Sequence, residues 1–298
     1  MSRAPTLRHR IEYALYRGIS GGLGLAPEPA ADRLGAALGW VTARTVRPRW
    51  DVAMSQLALA FPDKDPGWWQ SIARRSYAHL GAEAIAMVRM ASIGPEEIAS
   101  RTRLIGFEVV EESLGRGQGV VCVTGHFGNW EVGGAAVAAR GHPVDVVVAR
   151  QRNQLFDARI DRSRARLGMN VIPRGEARGR VLEALRQGRF VGILGDQDAR
   201  AAGVFVDFFG RPASTARGPS VLSLRAGARL VVAVAIREPG ASPRYTVHFE
   251  PVDVPRTGRL SDDVFAMTQA YTRRLEDFVR ERPEQYFWLH RRWKTAKT

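Results

Sequence analysis

The stretch VVCVTGHFGNWE, residues 120–131, holds the residue types best suited to moving a proton, His126 and Glu131. A histidine titrates near neutral pH, and a carboxylate beside it fixes its tautomer and stabilises the imidazolium, as a general base requires. On one straight helix, residues five apart point about 140° apart, because each residue turns about 100°. The pair can therefore meet only if His126 sits in a strand-to-helix turn and Glu131 in the first helical turn. Gly125 and Gly128 permit that bend, and the apolar run Val120–Val123 reads as a buried parallel strand feeding it. A histidine at a helix start, followed by an ordinary glutamate favoured by the helix dipole, would leave the same pattern.

Further candidates follow other apolar runs. Arg150 and Arg152 come directly after Val144–Ala149, and a guanidinium offers a planar fork of donors suited to phosphate oxygens. Arg174 closes a short segment that adds to the same basic wall. The charge-rich helix carrying Arg159, Arg162 and Arg166 reads equally well as a solvated face. GDQDAR, residues 195–200, puts Asp196 and Gln197 after the apolar strand Phe190–Leu194, where carboxylates can hold basic side chains in place. Phe205, Phe208 and Phe209 could line an acyl-chain channel, although ordinary core explains them as well. Ser214 and Ser220 lack the Gly-x-Ser-x-Gly setting of a hydrolase nucleophile. Cys122, the single cysteine, reads as core on the far side of its strand. No cluster has metal-ligand spacing, so neither a metal nor a cofactor is expected.

These residues belong to a chain of 298 with 45% hydrophobic and 25% charged residues, enough for a sizeable core. Its net charge of +14 implies anionic partners: a membrane surface, an acidic protein or a phosphorylated lipid. Nucleic acid is set aside because no nucleic-acid-binding module is recognisable. Residues 1–46 carry two uncharged stretches, each too short for the roughly 18–20 apolar residues of a spanning helix. They read as amphipathic helices lying on a membrane, with Tyr16 and Trp40 at the interface, or as a helical hairpin packed on the rest.

From residue 47 to 298 the pattern predicts one domain. Helices lead, ending near Pro62 and restarting at Pro66; apolar strands and helices then alternate. Expected strands are 104–109, 120–123, 144–149, 171–172, 190–194, 230–236 and an edge strand at 245–249; 215–227 and 262–280 are expected helices. Such alternation predicts an α/β fold, a mixed, largely parallel sheet flanked by helices, beside an N-terminal helical membrane-associating segment. In these sheets ligands bind beyond the carboxyl ends of the strands, where His126, Arg150 and Asp196 all fall.

HFGNWE resembles the His, four residues, Asp-or-Glu motif of glycerolipid acyltransferases. LALAFPDKD (57–65), ARQRN (149–153), GDQDAR with VFVDFFG (195–210) and PEQYFWLHRRWK (283–294) are similar to one branch, the bacterial late acyltransferases of lipid A biosynthesis. The resemblance implies an O-acyltransferase at the cytoplasmic face of the inner membrane. His126 would act as base and Glu131 as its partner, with backbone donors near Gly128–Asn129 for the oxyanion. It implies acyl carrier protein as donor and a phosphorylated glycolipid or phospholipid as acceptor, with Arg150 and Asn153 near the acceptor's phosphate. Asp196 and Gln197 would form the pocket wall, and Thr215 and Arg217 would touch substrate. Another membrane lipid, such as a phosphatidylinositol mannoside, an ornithine lipid or a lysophospholipid, is the alternative acceptor; a lipid hydrolase or thioesterase is the alternative reaction.

Overall fold

The computed structural model describes residues 6–240 and 242–297. Residues 1–5 of the expected membrane-associating segment lie outside that range. Helices α1 (Leu7–Leu25), α2 (Glu28–Thr42), α3 (Trp50–Ala60), α4 (Pro66–Met90) and α5 (Pro95–Arg101) come first. There follow β1 (Thr102–Ile105), α6 (Glu108–Gly115), β2 (Val120–Thr124), α7 (Trp130–Ala138), β3 (Val144–Val148) and α8 (Gln154–Arg166). Next are β4 (Met169–Pro173), α9 (Ala177–Arg186), β5 (Phe190–Leu194), β6 (Val204–Phe208), β7 (Arg211–Thr215) and α10 (Gly218–Ala226). Strands β8 (Arg229–Arg237) and β9 (Tyr245–Pro251) and helix α11 (Leu260–Glu281) complete the order.

Seven strands form one sheet in the order β1-β9-β8-β2-β5-β3-β4, parallel except where β8 meets β9. The expected mixed, largely parallel sheet flanked by helices is the fold. Strand β2 lies at its centre and is apolar on both faces, as a doubly covered strand must be. Val120 and Cys122 join the core under α6 and α7, while Val121 and Val123 join the core under α9 and α11. A third cluster is aromatic and gathers Phe61, Phe127, Phe208, Phe209 and Trp288 at the C-terminal side.

Three elements differ from expectation. The strand expected at 104–109 is β1, Thr102–Ile105, and α6 has already begun at Glu108. Strand β9 is not an edge strand, because β1 pairs with it in parallel and takes the edge. Residues 204–215 form the antiparallel hairpin β6–β7, and the helix expected from Thr215 starts only at Gly218. The hairpin turns on Phe209 and Gly210, both at positive φ (56° and 70°), the geometry of a tight two-residue turn. Phe-Gly lacks the Asn or Asp that usually announces such a turn.

The N-terminal helices are docked on the rest. α2 presents Ala31, Gly35 and Gly39 to α4 at helical spacing. A Cβ on Gly39 would lie 2.0 Å from the Tyr77 carbonyl oxygen, so this helix pair can approach only because the side chain is missing. Arg101 and Glu28 add an ion pair at 2.9 Å. Among the described residues no helix is long and apolar enough to cross a membrane.

This packing makes a measurable contrast. Gly39→Ala should destabilise the protein by about 1–3 kcal/mol through overpacking. Gly21→Ala, in α1 with open space around it, should instead stabilise by about 0.5–1 kcal/mol through helix propensity. Urea unfolding of both variants in one buffer checks the difference in sign.

Candidate active site

β2 and β5 are adjacent and parallel, with Thr124 opposite Leu194. His126 and Asp196 each lie two residues beyond those positions, so the register brings them together. The Asp196 carboxylate accepts from the His126 backbone N–H at 2.9 Å and pairs with the ring Nδ1 at 2.8 Å. Asp196 is buried, and the ring keeps partial exposure. Gln197 Nε2 stands 3.3 Å from the other ring nitrogen, Nε2. The ring is flanked by Trp130 and Phe287, at 5.1 and 6.0 Å between centroids.

Electrostatics fix the state of the pair. Burial disfavours the charged imidazole, but the charge and hydrogen bond of Asp196 outweigh it, and the net shift of His126 is upward. Burial likewise works against the Asp196 carboxylate; His126 and, more distantly, Arg292 outweigh it and hold the acid below its ordinary range. Nδ1–H therefore donates to Asp196, leaving Nε2 as the nitrogen able to take a proton.

His126 does not bond to Glu131, as the spacing had suggested. Glu131, buried in the first turn of α7, is gripped by the Arg164 guanidinium from α8, with Nε at 2.9 Å and Nη2 on the other carboxylate oxygen. The reason lies in the chain between them. Gly128 N–H donates to the Gln285 carbonyl and Asn129 N–H to the Ala235 carbonyl, both at 3.0 Å. Those bonds carry the backbone sideways before the helix starts, and Gly128 makes the step at φ 55°. A Cβ there would stand 1.9 Å from the Ala235 oxygen. The same bonds engage the backbone donors expected to face an oxyanion. The Asn129 side chain caps α7 at Val132 N and donates to buried Glu83.

His126, Glu131 and Arg164 nevertheless line one cavity of about 280 Å³ with Val146, Ile160 and Met169. Its walls are mostly hydrocarbon. Cys122 also lines it, contrary to the expectation that it points away; burial pushes its thiol up to about 12. Phe205, Phe208 and Phe209 do not line it. Arg164 was not singled out in the sequence. Phe156, Ile160, Ser163 and Leu167 mark one face of α8 at spacings of three and four, and Arg164 borders that face.

Other expected substrate contacts are engaged within the protein or lie away from the cavity. Arg150 is half-exposed and ion-paired to Asp157 at 3.1 Å and Asp161 at 2.8 Å, so its charge is already met. Asn153 caps α8 and donates to the His9 carbonyl and the Glu12 carboxylate of α1. Thr215 is fully buried and accepts from Arg292. Arg174 and Arg217 are exposed at the starts of later helical turns and do not line the cavity.

The sequence pattern of a family described as bacterial lipid A biosynthesis acyltransferase matches residues 1–295. The chain belongs to that family. It is 26% identical to the Escherichia coli lipid A biosynthesis myristoyltransferase over 295 residues, covering 98% of this chain and 90% of the relative. It is 28% identical to the E. coli lipid A biosynthesis lauroyltransferase over 272 residues, covering 90% and 87%. A Mycobacterium tuberculosis phosphatidylinositol mannoside acyltransferase is 29% identical over 192 residues, covering 63% and 58%. The protein is thus an acyltransferase, and the lipid A acyltransferase family includes among its likenesses a protein that acts on another lipid.

The upward shift of His126 has a consequence for the acyltransferase reaction. If Nε2 must be neutral to take a proton, activity falls as pH drops through a value above the ordinary ~6.5 of histidine. Asp196→Asn removes the carboxylate that raises it. The acidic limb of kcat/KM should move to lower pH, and kcat should fall by about 10²-fold or more. A pH–rate profile that keeps its limb in the variant would show that Asp196 does not hold the ring.

Proposed function

We propose that the protein moves a fatty acyl group from an acyl carrier protein thioester to a hydroxyl of a lipid A precursor at the cytoplasmic face of the inner membrane. The observation that carries this reading is the Asp196-held His126 ring at the wall of a mainly apolar cavity. His126 Nε2 takes the proton of the acceptor hydroxyl as its oxygen attacks the thioester carbonyl. Arg164 lines the same cavity, but Glu131 and Asp161 already meet its charge, so the ion pair shapes the cavity wall beside the reacting groups. The intermediate collapses with cleavage of the carbon–sulfur bond, and the thiolate takes the proton from His126. The donor is already activated, so no acyl-enzyme is required. The serines weighed as nucleophiles support this: Ser214 is fully buried and donates to the Arg200 carbonyl, and Ser220 pairs with Thr268.

The net charge of +14 suits both the acidic carrier and a phosphorylated acceptor. With Arg150 tied to two aspartates, a phosphate contact there would have to displace them. The N-terminal helices suit a bilayer surface. Leu7, Ile11 and Leu15 are exposed on α1 at spacings of four. Leu34, Leu38 and Val41 are exposed on α2, beside the packed stripe of Ala31, Gly35 and Gly39. Exposed Trp40 lies under the Arg44 guanidinium, 3.2 Å from its ring centroid, and its exposed indole suits an interfacial anchor. The likeness to phosphatidylinositol mannoside acyltransferases supports a second reading, the same chemistry on another membrane lipid.

The deciding assay incubates purified protein with dodecanoyl acyl carrier protein and a panel of lipid acceptors, with products identified by mass. Transfer to a lipid A precursor is expected, and His126→Ala should abolish it while the protein stays folded. Transfer only to a mannosylated inositol phospholipid would favour the second reading; release of free fatty acid without any acylated lipid would favour a hydrolase.

Membrane attachment is separable from chemistry. Leu34→Asp with Leu38→Asp should weaken sedimentation with anionic vesicles while sparing turnover of a detergent-dispersed acceptor. Added salt should weaken the wild-type protein's sedimentation as well. Unchanged sedimentation of the double variant would remove α2 from the contact.

A further inference from the structure

A second cavity of about 240 Å³ lies between α1, α4 and α8. Tyr16, Val88, Ala91, Phe156, Ser163 and Leu167 line it and do not line the His126 cavity. Met87, Glu131, Ile160, Arg164 and Met169 line both. The two spaces are therefore neighbouring arms, and the Glu131–Arg164 ion pair belongs to the wall they share. Only the first arm reaches His126.

The second arm has a polar feature that hydrocarbon alone would not need. Arg159 of α8 lines it, with its guanidinium 5.8 Å from the Tyr16 ring centroid. Its Nε is buried and has no hydrogen-bond partner among the described residues. Nor does a carboxylate lie within ion-pair distance of it there, whereas neighbouring Arg164 on the same helix is paired twice. A buried donor left unsatisfied is costly, so this guanidinium is set up for an acceptor supplied from outside. An apolar arm bordered by an unmatched cation fits an anionic amphiphile.

We propose that this second cavity is a binding site for one non-reacting hydrocarbon chain of the acceptor lipid, with an anionic group of that lipid on Arg159. The assignment of the occupant to the acceptor rests on the acyl-transfer reading above. Three observations favour a chain of the acceptor. The cavity adjoins the reaction cavity along a wall that includes Met87, Ile160 and Met169. His126 does not line it, so what it holds does not react. One of its walls is α1, whose outer face carries the exposed Leu7, Ile11 and Leu15. A lipid held at that apolar surface would place one of its chains between α1 and α8, with the hydroxyl to be acylated on the His126 side.

The test has a binding arm and a kinetic arm. In the first, dodecyl phosphate, dodecanol and inorganic phosphate are titrated below micelle concentrations into the full-length protein by calorimetry. Dodecyl phosphate should bind about tenfold or more tightly than dodecanol, in keeping with a charge-assisted contact, and inorganic phosphate should bind weakly. Ser163→Phe, which fills the cavity, should remove the dodecyl phosphate site. Arg159→Met keeps the volume and should bind the two chains alike; it also decides the question if Ser163→Phe does not fold. In the kinetic arm, Ser163→Phe should raise the acceptor KM severalfold with kcat nearly unchanged.

Dodecyl phosphate binding that persists in Ser163→Phe would place the chain in the first cavity and overturn the proposal. Equal binding of inorganic phosphate and dodecyl phosphate would also overturn it, leaving only a small-anion site. Loss of binding without any change in acceptor KM would overturn the acceptor as occupant. If no lipid is acylated at all, the acyl-transfer reading fails, and the binding arm still decides whether the cavity takes an anionic chain.

Discussion

The contact between the His126 ring and the buried Asp196 carboxylate is the constraint around which the site is built. Neither group would be comfortable alone. A buried carboxylate without a partner is strongly destabilising, by about 3–5 kcal/mol where one member of a buried pair is removed. The pairing of β2 with β5 makes the contact unavoidable, since both residues leave the sheet at the same level. Asp196 also receives the His126 backbone N–H, so a single carboxylate fixes the ring, its tautomer and the backbone that carries it. Gln197 Nε2 then lies 3.3 Å from the remaining ring nitrogen, and His126 itself lines the cavity.

The C-terminal segment holds this arrangement from behind. Phe287 N–H donates to the His126 carbonyl at 2.9 Å, and the Gln285 carbonyl takes Gly128 N–H. Gln285 in turn bonds both N–H and carbonyl of Arg237 through its side chain, and the Tyr286 carbonyl accepts from Ser76 on α4. The motif loop is thus tied to β8, α4 and the chain's end at once. Arg292, almost fully buried, donates to the Ser214 carbonyl and to Thr215, and no carboxylate is within ion-pair distance of it among the described residues. Its charge contributes to keeping Asp196 ionised. The long aromatic and basic stretch at 283–294 is therefore the frame that holds the His126 loop, which explains why it reads as a signature.

Much of this was legible in the sequence where the signal is local. The runs at 120–123 and 190–194 are continuously apolar because helices cover both faces of their sheet, and 144–148 is broken only by Asp145, which pairs with Arg189; their ends mark the candidate site. What could not be read was which ends are neighbours. Strand β5 lies beside β2 although β3 and β4 intervene in the chain, so nothing in the spacing pairs His126 with Asp196 rather than Glu131. The Phe209–Gly210 turn hid a hairpin for want of a typical turn residue. The fate of Arg150 was nearer the surface: Asp157 and Asp161 are four apart on one helix face, close enough in sequence to reach back to it.

The same logic explains how the N-terminal helices relate to the chemistry. They are joined to the core by groups that cannot be left alone in an apolar setting. Asp32 of α2 bonds Arg237, which bonds Glu83 of α4 at 2.8 Å; Glu83 also accepts from Tyr245 and from Asn129, the cap of α7. Burial works against the Arg237 charge, yet the surrounding carboxylates hold it firmly ionised. Because every member of this network depends on the next, α2 and the helix bearing Glu131 are held in one register. α1 and α2 expose Leu7, Ile11, Leu15, Leu34, Leu38 and Val41, and α2 turns Ala31, Gly35 and Gly39 inward. A surface that met a bilayer there would therefore set the height of the His126 cavity above the membrane through a chain of contacts, from Asp32 to Asn129, rather than through a flexible tether.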